Sequence, residues 1–198
     1  MAHERRFNAA LAGRLENPDR LRWLPPAEVV AALHVQPGEV IVDIGAGTGY
    51  FALPLAKAAG PGGKVYAVDA QAEMLSLLAG KSHHSASARI EPIQAEADTT
   101  GLPRGSCDVA FLANVWHEFD DRAAVVAEAT RLLRPGGRIG ILDWRPDVEP
   151  EHGPPLEHRL SPDDAMAVLR SAGATQLSSV NVGSYSWLVT GAMPQTPA

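Results

Sequence analysis

The sequence predicts an α/β protein in which helices cover both faces of one mostly parallel, seven-stranded sheet. Apolar, β-branched runs alternate with helix-like segments along most of the 198 residues, which is the pattern of a doubly wound, three-layer sandwich. A glycine-rich turn from Gly45 to Gly49 directly follows the first of these runs, as expected where a parallel strand leads into a helix. Near the end of the chain, two strand signals separated by Gly183-Ser184 predict an antiparallel hairpin at the sheet edge.

The first half of the chain contains three predicted strands and three predicted helices. Pro25 and Pro26 suit the start of a helix, and the glycines that follow Ala59 end another. Pro54 lies near the first turn of its helix, where the missing N–H is tolerated. In order, we expect a helix at Ala27–Leu33, a strand at Val40–Ile44, a helix at Tyr50–Ala59, a strand at Lys64–Asp69, a helix at Ala72–Ala79 and a strand at Ile90–Gln94.

The second half contains two more helices and four more strands. Apolar residues recur at helical spacing up to Leu133, and Ser161-Pro162 followed by two acids is a well-formed helix start. In order, we expect a strand at Asp108–Asn114, a helix at Arg122–Leu133, a strand at Arg138–Asp143, a helix from Ser161 to Gly173, and hairpin strands at Thr175–Val182 and Tyr185–Thr190.

Composition fits one compact domain and excludes several classes of protein. With 45% hydrophobic residues the chain can bury a substantial core; we expect a helical appendage at 1–34, a domain at 35–192 and a disordered tail at 193–198. The single cysteine, Cys107, excludes an intrachain disulfide and a thiolate metal cluster. We expect a cytoplasmic protein, because neither a secretory signal nor a run of about 18 apolar residues occurs. A net charge of −6 disfavours a protein whose whole surface follows a nucleic-acid backbone, and it leaves a local basic patch as an alternative.

The glycine-rich turn is the most informative segment of the chain. Three glycines occupy alternate positions from Gly45 to Gly49, and the acidic Asp43 lies two residues before the first of them. A dinucleotide-binding fingerprint requires its third glycine at position 50, which is Tyr50, so a hydride-transfer cofactor is disfavoured. On this segment alone, a structural turn without a ligand stays an alternative.

Four segments occur in the order that characterises one enzyme family. They are Val42-Asp43-Ile44-Gly45-Ala46-Gly47-Thr48-Gly49, Lys64-Val65-Tyr66-Ala67-Val68-Asp69, Ala97-Asp98-Thr99-Thr100-Gly101-Leu102-Pro103 and Arg134-Pro135-Gly136-Gly137. In this order they resemble the motifs of class I S-adenosylmethionine-dependent methyltransferases, with the ubiquinone/menaquinone methyltransferase-like branch as the nearest group. The resemblance covers residues 35–145, and it implies a Rossmann-like fold with S-adenosylmethionine as the cofactor.

The resemblance implies that the cofactor lies against the first strand and its glycine loop. Gly45, Gly47 and Gly49 would let the cofactor approach the backbone, and Asp43 would help to hold its ammonium group. Asn114 lies at the end of the fourth strand, where the ends of parallel strands converge on the same crevice. A buried Asp43 satisfied by backbone amides is the structural alternative.

Three further residues would bind the nucleoside part of the cofactor. The carboxylate of Asp69 would accept the ribose hydroxyls, while Asp98 and the Ala97 backbone would bind the adenine, with Met74 or Leu102 against the ring. Asp69 also suits a helix cap, and Asp98 suits an Asx turn before a glycine, so both structural alternatives stay open.

His117 is the candidate catalytic residue. It follows the fourth strand in Asn114-Val115-Trp116-His117-Glu118, and its side chain titrates in the range that a base or a substrate-orienting group needs. The alternative is a histidine hydrogen-bonded to a loop carbonyl or to Glu118. The motifs that resemble nucleic-acid amino-methylation are missing here, because the segment lacks both prolines, and one cysteine cannot supply the chemistry of arsenite methylation.

Two appendages flank the expected acceptor site. Residues 1–24 interleave arginines and acids with apolar residues, which suits an amphipathic lid or, equally, an ordinary surface helix. Residues 144–160 carry four prolines, so this stretch is predicted to be a stiffened loop near the acceptor. Its histidines match no trusted ligand pattern, and we expect no metal.

The resulting hypothesis is a methyltransferase that acts on an unidentified small molecule. Two alternatives share the same cofactor pocket: a non-catalytic module that binds S-adenosylmethionine or S-adenosylhomocysteine, and an aminopropyl transferase. We expect no nucleic acid partner and no membrane span, and a homodimer is an open alternative to a monomer.

Overall fold

The structure is a computed structural model that describes residues 7–81, 87–149 and 151–195. Within these residues the chain forms one sheet of seven strands. The strands are β1 (Val40–Ile44), β2 (Lys64–Asp69), β3 (Arg89–Gln94), β4 (Cys107–Ala113), β5 (Leu133–Trp144), β6 (Thr175–Val182) and β7 (Ser186–Ala192). Their order across the sheet is β3-β2-β1-β4-β5-β7-β6, and only the pairs that involve β7 are antiparallel. The predicted mostly parallel sheet with a C-terminal hairpin is confirmed.

The direction in which strands are added to the sheet reverses beside β1. The strands β2 and β3 extend the sheet on one side of β1, whereas β4 pairs with its other side. Ile44, the last residue of β1, therefore lies between Val68 of β2 and Leu112 of β4. A crevice opens beyond the carboxyl ends of the strands at such a reversal, which makes this the expected position of a ligand.

Helices cover both faces of the sheet. They are α1 (Arg20–Trp23), α2 (Pro26–Ala32), α3 (Ala52–Ala59), α4 (Ala72–Ala79), α5 (Arg122–Leu132) and α6 (Pro162–Ser171), with 3₁₀ turns at Ala9–Arg14, Trp116–Glu118 and Leu156–His158. The predicted start of α6 forms a capping box, in which the Ser161 hydroxyl accepts the Asp164 N–H and the Asp164 carboxylate accepts the Ser161 N–H. Pro54 is the third residue of α3, so its missing N–H costs the helix no hydrogen bond.

Two apolar cores stabilise the layers. Alternate residues of the strands point to opposite faces, so Ile41 and Phe111 belong to the core under α2, α3 and α4, while Val42 and Leu112 belong to the core under α5 and α6. All four side chains are fully buried. Burial on both faces explains why β1 and β4 read as continuous apolar runs rather than alternating ones.

The fifth strand starts earlier than its sequence predicts. Leu133 already pairs with Cys107, and the register then shifts before Val109, so the Arg134 to Gly137 turn forms an irregular part of β5. The guanidinium of Arg134 binds both carboxylate oxygens of Asp108, at 2.7 and 2.8 Å, and this ion pair holds the irregular region against β4. A residue pattern that contains Pro and Gly carries no signal for such tertiary pairing.

The end of the chain returns to this irregular region. The Met193 N–H donates to the Gly137 carbonyl at 2.8 Å, and the Gly136 N–H donates to the Pro194 carbonyl at 3.0 Å. The segment for which disorder is expected, 193–198, therefore begins with hydrogen-bonded residues, while residues 196–198 lie outside the described part. Among the described helices, none has the length and apolar character needed to cross a bilayer.

Candidate functional site

The glycine loop turns sharply at the end of β1 because its residues adopt backbone angles that favour glycine. Gly45, Gly47 and Gly49 have φ values of +76°, +53° and +89°. The N–H groups of Gly45 and Ala46 both donate to the Val68 carbonyl, at 2.8 and 2.9 Å, and fix the loop to β2. A Cβ atom at Gly45 would lie 2.6 Å from Cγ1 of Val115, so the loop after β4 also needs a glycine here.

Gly49 is needed for close packing against α4. A Cβ atom at this position would collide with Cδ1 of Leu78, a fully buried residue of α4. Gly49 does not line the crevice, whereas Gly45 and Gly47 do. The three glycines of the motif thus have two different physical roles.

Asp69 holds the glycine loop through its carboxylate. One carboxylate oxygen accepts the Gly47 N–H at 2.8 Å, and the other accepts the Gln71 N–H at 2.9 Å. The first bond ties β2 to the loop, and the second makes Asp69 an Asx-type cap before α4. The capping alternative expected for Asp69 is therefore present, and a ribose role stays a prediction.

Asp43 and Asn114 bring unpartnered polar atoms into the crevice. Both carboxylate oxygens of Asp43, and both polar side-chain atoms of Asn114, are buried without a hydrogen-bond partner among the described residues. Asn114 also has a φ of +57°, which is uncommon for a residue other than glycine. Burial, and secondly the charge of Asp69, raise the pKa of Asp43 to about 7. Buried polar atoms without partners are costly, so these four indicate the position of a bound polar ligand.

One cavity joins most of the predicted cofactor residues. It lies beyond β1, β2 and β4, and its walls include six of the residues implied by the family resemblance: Asp43, Gly45, Gly47, Asp69, Ala97 and Asn114. Met74, expected beside the adenine, also lines it. Leu102 lies instead in the core under α5 and α6.

Asp98 lies outside the cavity lining. Its side chain is exposed and accepts the Thr99 hydroxyl at 3.2 Å, while the neighbouring residues Glu96 and Ala97 reach the cavity. The structure thus places the backbone near Ala97 at the cavity and leaves the proposed contact of Asp98 as a prediction.

His117 forms a buried pair with Asp143 at the end of β5. The ring Nδ1 lies 2.9 Å from one carboxylate oxygen of Asp143, and the His117 backbone N–H donates to the other at 2.8 Å. Burial by itself lowers the pKa of His117, but the carboxylates of Asp143 and Glu118 together outweigh it, and the pKa lies above its ordinary value. With Nδ1–H directed to Asp143, the neutral ring leaves Nε2 free to accept a proton.

Glu118 connects this pair to the cavity. His117 itself is not among the residues that line the cavity, but Glu118 is, and its carboxylate lies 4.0 Å from Nε2 of His117. Burial raises the pKa of Glu118 to about 7. An acid with a pKa near neutral therefore lies between His117 and the cavity.

The N-terminal segment, residues 7–24, covers the cavity. Phe7, Leu15 and Arg20 line it. Two sets of polar contacts fasten the segment: the Phe7 N–H donates to Glu118 at 3.2 Å, and Glu16 binds the Thr48 hydroxyl and, at 2.6 Å, Nζ of Lys81. These contacts place the segment beside the cavity, and only short helical turns form within it; its role as a lid stays a prediction.

The far end of the N-terminal segment is attached to the C-terminal hairpin. The Trp23 carbonyl accepts the Ser184 N–H at 2.9 Å, and a Cβ atom at Gly183 would collide with that carbonyl. The Trp23 ring stacks on His152, with 4.7 Å between ring centroids. The loop that contains His152 is itself tied down by Arg159, which donates to four of its backbone carbonyls.

The described residues contain no group of three His, Cys, Asp or Glu side chains arranged to hold a metal ion. Cys107 is buried, and its thiol lies 3.3 Å from the Leu132 carbonyl. Burial raises the pKa of this thiol to about 12, which makes it unreactive.

Sequence reasoning offered a loop carbonyl or Glu118 as the partner of His117, and it missed Asp143 and Arg20. Asp143 is recognisable as a strand-end acid, but nothing in the order of residues pairs it with His117. The described part of the N-terminal segment contains Arg14, Arg20 and Arg22, and only the structure shows that Arg20 is the one of these three that lines the cavity. Glu118 carries a signal only through its position next to His117.

Comparison with known proteins agrees with this geometry. A model of a family described as a methyltransferase domain matches residues 42–141. A crystal structure of an S-adenosylmethionine-dependent methyltransferase from Aquifex aeolicus superposes with a TM-score of 0.87, at 28% identity, over 95% of this chain and 100% of that chain.

Curated relatives show the same family over a shorter stretch. The ubiquinone/menaquinone biosynthesis C-methyltransferase UbiE of Burkholderia vietnamiensis is 32% identical over 125 residues, which cover 63% of this chain and 51% of that protein. Nocamycin O-methyltransferase of Saccharothrix syringae is 33% identical over 106 residues, which cover 54% of this chain and 38% of that protein. The chain spans about half or less of the length of these relatives. Since the family model matches half of its residues and the sheet order and cavity fit, the chain belongs to the methyltransferase domain family and has the fold of class I S-adenosylmethionine-dependent methyltransferases.

Proposed function

We propose that the protein binds S-adenosylmethionine in the cavity beyond β1 and transfers its methyl group to a small-molecule acceptor. The observation that carries this proposal is the set of buried, unpartnered atoms of Asp43 and Asn114 beside the glycine loop. A ligand with an ammonium group would give Asp43 a counter-charge, and its polar atoms would satisfy Asn114. S-adenosylmethionine, the cofactor of the family to which the chain belongs, carries such an ammonium group.

The cavity-lining residues divide between the two ends of the cofactor. Asp69 would hold the ribose hydroxyls, as the acid at the end of the second strand does at dinucleotide sites. The Ala97 backbone, Asp98 and Met74 would bind the adenine. The glycine loop, Asp43 and Asn114 would hold the amino-acid part. Exposed Asp98 is the least supported of these assignments, because the cavity lining stops at Ala97.

The bound cofactor would supply an electrophilic methyl group, and the chain would supply alignment, exclusion of water and a base. Phe7 and Leu15 cover the cavity and keep water out. His117, oriented by Asp143, would take up a proton at Nε2 when the acceptor is a hydroxyl or an acidic carbon. Glu118 would relay or share that proton, since it lies between His117 and the cavity.

The relatives support a small acceptor without selecting the atom that is methylated. One of them is named as a C-methyltransferase and another as an O-methyltransferase. Both reactions need a base near the acceptor, which the His117–Asp143 pair can provide. Identification of the acceptor needs transfer of labelled methyl groups into a fractionated extract, followed by determination of the product mass.

The first test is binding of S-adenosylhomocysteine and S-adenosylmethionine measured by calorimetry. We expect Asp69→Ala to weaken binding at least about tenfold, because it removes a carboxylate that fixes the loop and would accept two hydroxyls. Asp163→Ala, at an exposed position of α6 away from the cavity, is the matched control and should leave the affinity unchanged. Equal affinity of the wild type and Asp69→Ala would refute the ribose assignment.

Binding without methyl transfer to any fraction would favour the non-catalytic module. Preferential binding of decarboxylated S-adenosylmethionine would favour the aminopropyl transferase. If the wild type binds none of these nucleosides, the proposed function is wrong.

A further inference from the structure

Arg20 is a buried cation in the wall of the cavity. It is the first residue of α1, only 6% of it is exposed, and it lines the same cavity as Asp43 and Asn114. Its guanidinium carbon lies 3.9 Å from the centre of the Tyr50 ring, and Nη1 donates to the Leu15 carbonyl at 3.4 Å. Tyr50 belongs to the glycine-loop region, so the stacked guanidinium lies directly beside that loop.

Among the described residues no carboxylate lies within ion-pair distance of the Arg20 guanidinium, although the more distant charge of Glu16 favours its ionised form. In the described part of the chain, Nε of Arg20 is buried and has no hydrogen-bond partner. Glu16, four residues earlier, is bound by Lys81 and by the Thr48 hydroxyl. Burial lowers the pKa of Arg20 to about 10, so the group stays charged at neutral pH. A buried charge without a partner is strongly unfavourable, and an anion that enters the cavity would remove this cost.

The other unpartnered atoms define what kind of anion fits. Asp43 presents a carboxylate and Asn114 an amide to the same cavity, so the unpartnered atoms that face it come from one cation, one acid and one amide. An α-amino acid group carries the complementary pair, with a carboxylate for the arginine and an ammonium for the aspartate. A phosphate would satisfy Arg20 but would be repelled by Asp43 and Asp69.

We propose that Arg20 binds the α-carboxylate of the methionyl part of the cofactor and thereby selects cofactors that retain this carboxylate. This inference rests on the proposed function, since it assigns one end of the same ligand. Because Arg20 lies on the N-terminal segment, the contact would also hold that segment closed over the bound cofactor. The decarboxylated analogue, which an aminopropyl transferase uses, would leave the guanidinium unpaired and bind poorly.

The test compares two ligands on two proteins. Calorimetry measures the affinities of S-adenosylmethionine and of decarboxylated S-adenosylmethionine for the wild type and for Arg20→Met, which keeps an unbranched apolar stem. We expect Arg20→Met to weaken binding of the carboxylated ligand by about 30-fold or more, and binding of the decarboxylated ligand by less than about threefold. Arg22→Met, at an exposed position of the same short helix, is the matched control and should change neither affinity.

Several outcomes would overturn the assignment of Arg20. An equal loss for both ligands would make Arg20 a packing residue, and no loss for either would remove it from the site. Should Arg20→Met not fold, Arg20→Lys retains the charge and decides the matter: because lysine lacks the planar fork, it should lose affinity only for the carboxylated ligand. Wild-type protein that binds neither ligand overturns the proposed function as well, whereas tight wild-type binding with no ligand-selective loss overturns the role of Arg20 alone.

Discussion

Asp143 determines how His117 can act, because it contacts both the ring and the backbone of that residue. Its two carboxylate oxygens accept the His117 N–H and bind Nδ1, and one of them also accepts the Trp144 N–H. The side chain of Asp143 is only 1% exposed. A buried acid held by backbone groups orients the ring and favours its protonated form, as acids behind catalytic histidines do.

The pKa of His117 should depend on Asp143. In Asp143→Asn, the burial that lowers the pKa remains while the main charge that raises it is lost, so the pKa should fall below the ordinary histidine value of about 6.5. Titration of the ring nitrogens by NMR measures both values. A pKa that stays above 6.5 in the variant would show that Glu118, rather than Asp143, raises the pKa of the ring.

His117→Ala should abolish turnover with any acceptor that needs a base, while cofactor affinity is kept.

Gly49 should matter more to stability than another glycine of similar backbone angle. Gly38 has the same φ as Gly49, +89°, and open space around it, so Gly38→Ala should cost about 1–2 kcal/mol for the backbone alone. Gly49→Ala adds a collision with buried Leu78, and its free energy of unfolding should fall by about 2–4 kcal/mol. Urea denaturation of the two variants compares them directly. Equal losses would mean that Leu78 moves aside without cost.

The residues differ in how far their roles could be predicted. Asp43 and Gly45 belong to a short motif around one turn, so their roles could be predicted from the local sequence. Arg20 and Asp143 reach the site from distant parts of the chain, and their roles depend on which elements become neighbours. Sequence order gives no measure of such proximity without the fold.

At the scale of secondary-structure elements, the N-terminal segment is the part most sensitive to the ligand. Trp23 and the buried Leu24 anchor its far end, whereas its first part is held by polar contacts to Glu118, Thr48 and Lys81 rather than by a place in the sheet. Elements with few buried contacts open with the smallest free energy, and a ligand that contacts them shifts this equilibrium toward the closed form.

Trypsin digestion measures this opening. Arg14 and Arg22 are exposed cleavage sites on the segment, and saturating S-adenosylhomocysteine should slow cleavage after both by several-fold or more. NADH at the same concentration is the control ligand and should give no protection, because position 50 is Tyr50 rather than the third glycine of a dinucleotide loop. Identical digestion with and without S-adenosylhomocysteine would mean that the segment does not respond to the site.

Helices and strands with strong local signals were predicted well, and tertiary contacts account for the differences. The capping box of α6 and the Gly183-Ser184 hairpin turn are local, so their positions follow from a few residues. The early start of β5 at Leu133 depends on pairing with Cys107, 26 residues away in the neighbouring strand. The N-terminal segment is irregular because its position comes from contacts with the domain rather than from helix formation.

For the whole molecule, the buried Asp43 in the cavity lowers the free energy of unfolding by an amount that depends on pH. The pKa of Asp43 is about 7 in the folded chain and about 3.9 in an unfolded one. Between these values the folded state binds more protons, so the contribution of Asp43 to stability is lost as the pH rises from about 4 to about 7. An unoccupied site above neutral pH therefore contains an ionised, buried acid without a partner.

Asp43→Asn tests this relation. The variant keeps the shape of the side chain but cannot ionise, so its free energy of unfolding should fall less than that of the wild type between pH 5 and pH 8. Urea denaturation at the two pH values gives the comparison, in which the contribution of Glu118 is common to both proteins. Parallel pH dependences would show that Asp43 does not carry this cost. S-adenosylhomocysteine should restore wild-type stability most strongly at pH 8.

The attachment of Trp23 to the hairpin at Gly183 and Ser184 determines when, during synthesis, the protein can first retain a ligand. The chain up to Ser184 must leave the ribosome before Trp23 meets its partner in the hairpin, although the strands beside the glycine loop emerge much earlier. A nascent chain thus passes through a stage in which the crevice exists but has no cover. Tight retention of a nucleoside becomes available only after the hairpin at Gly183 and Ser184 has emerged.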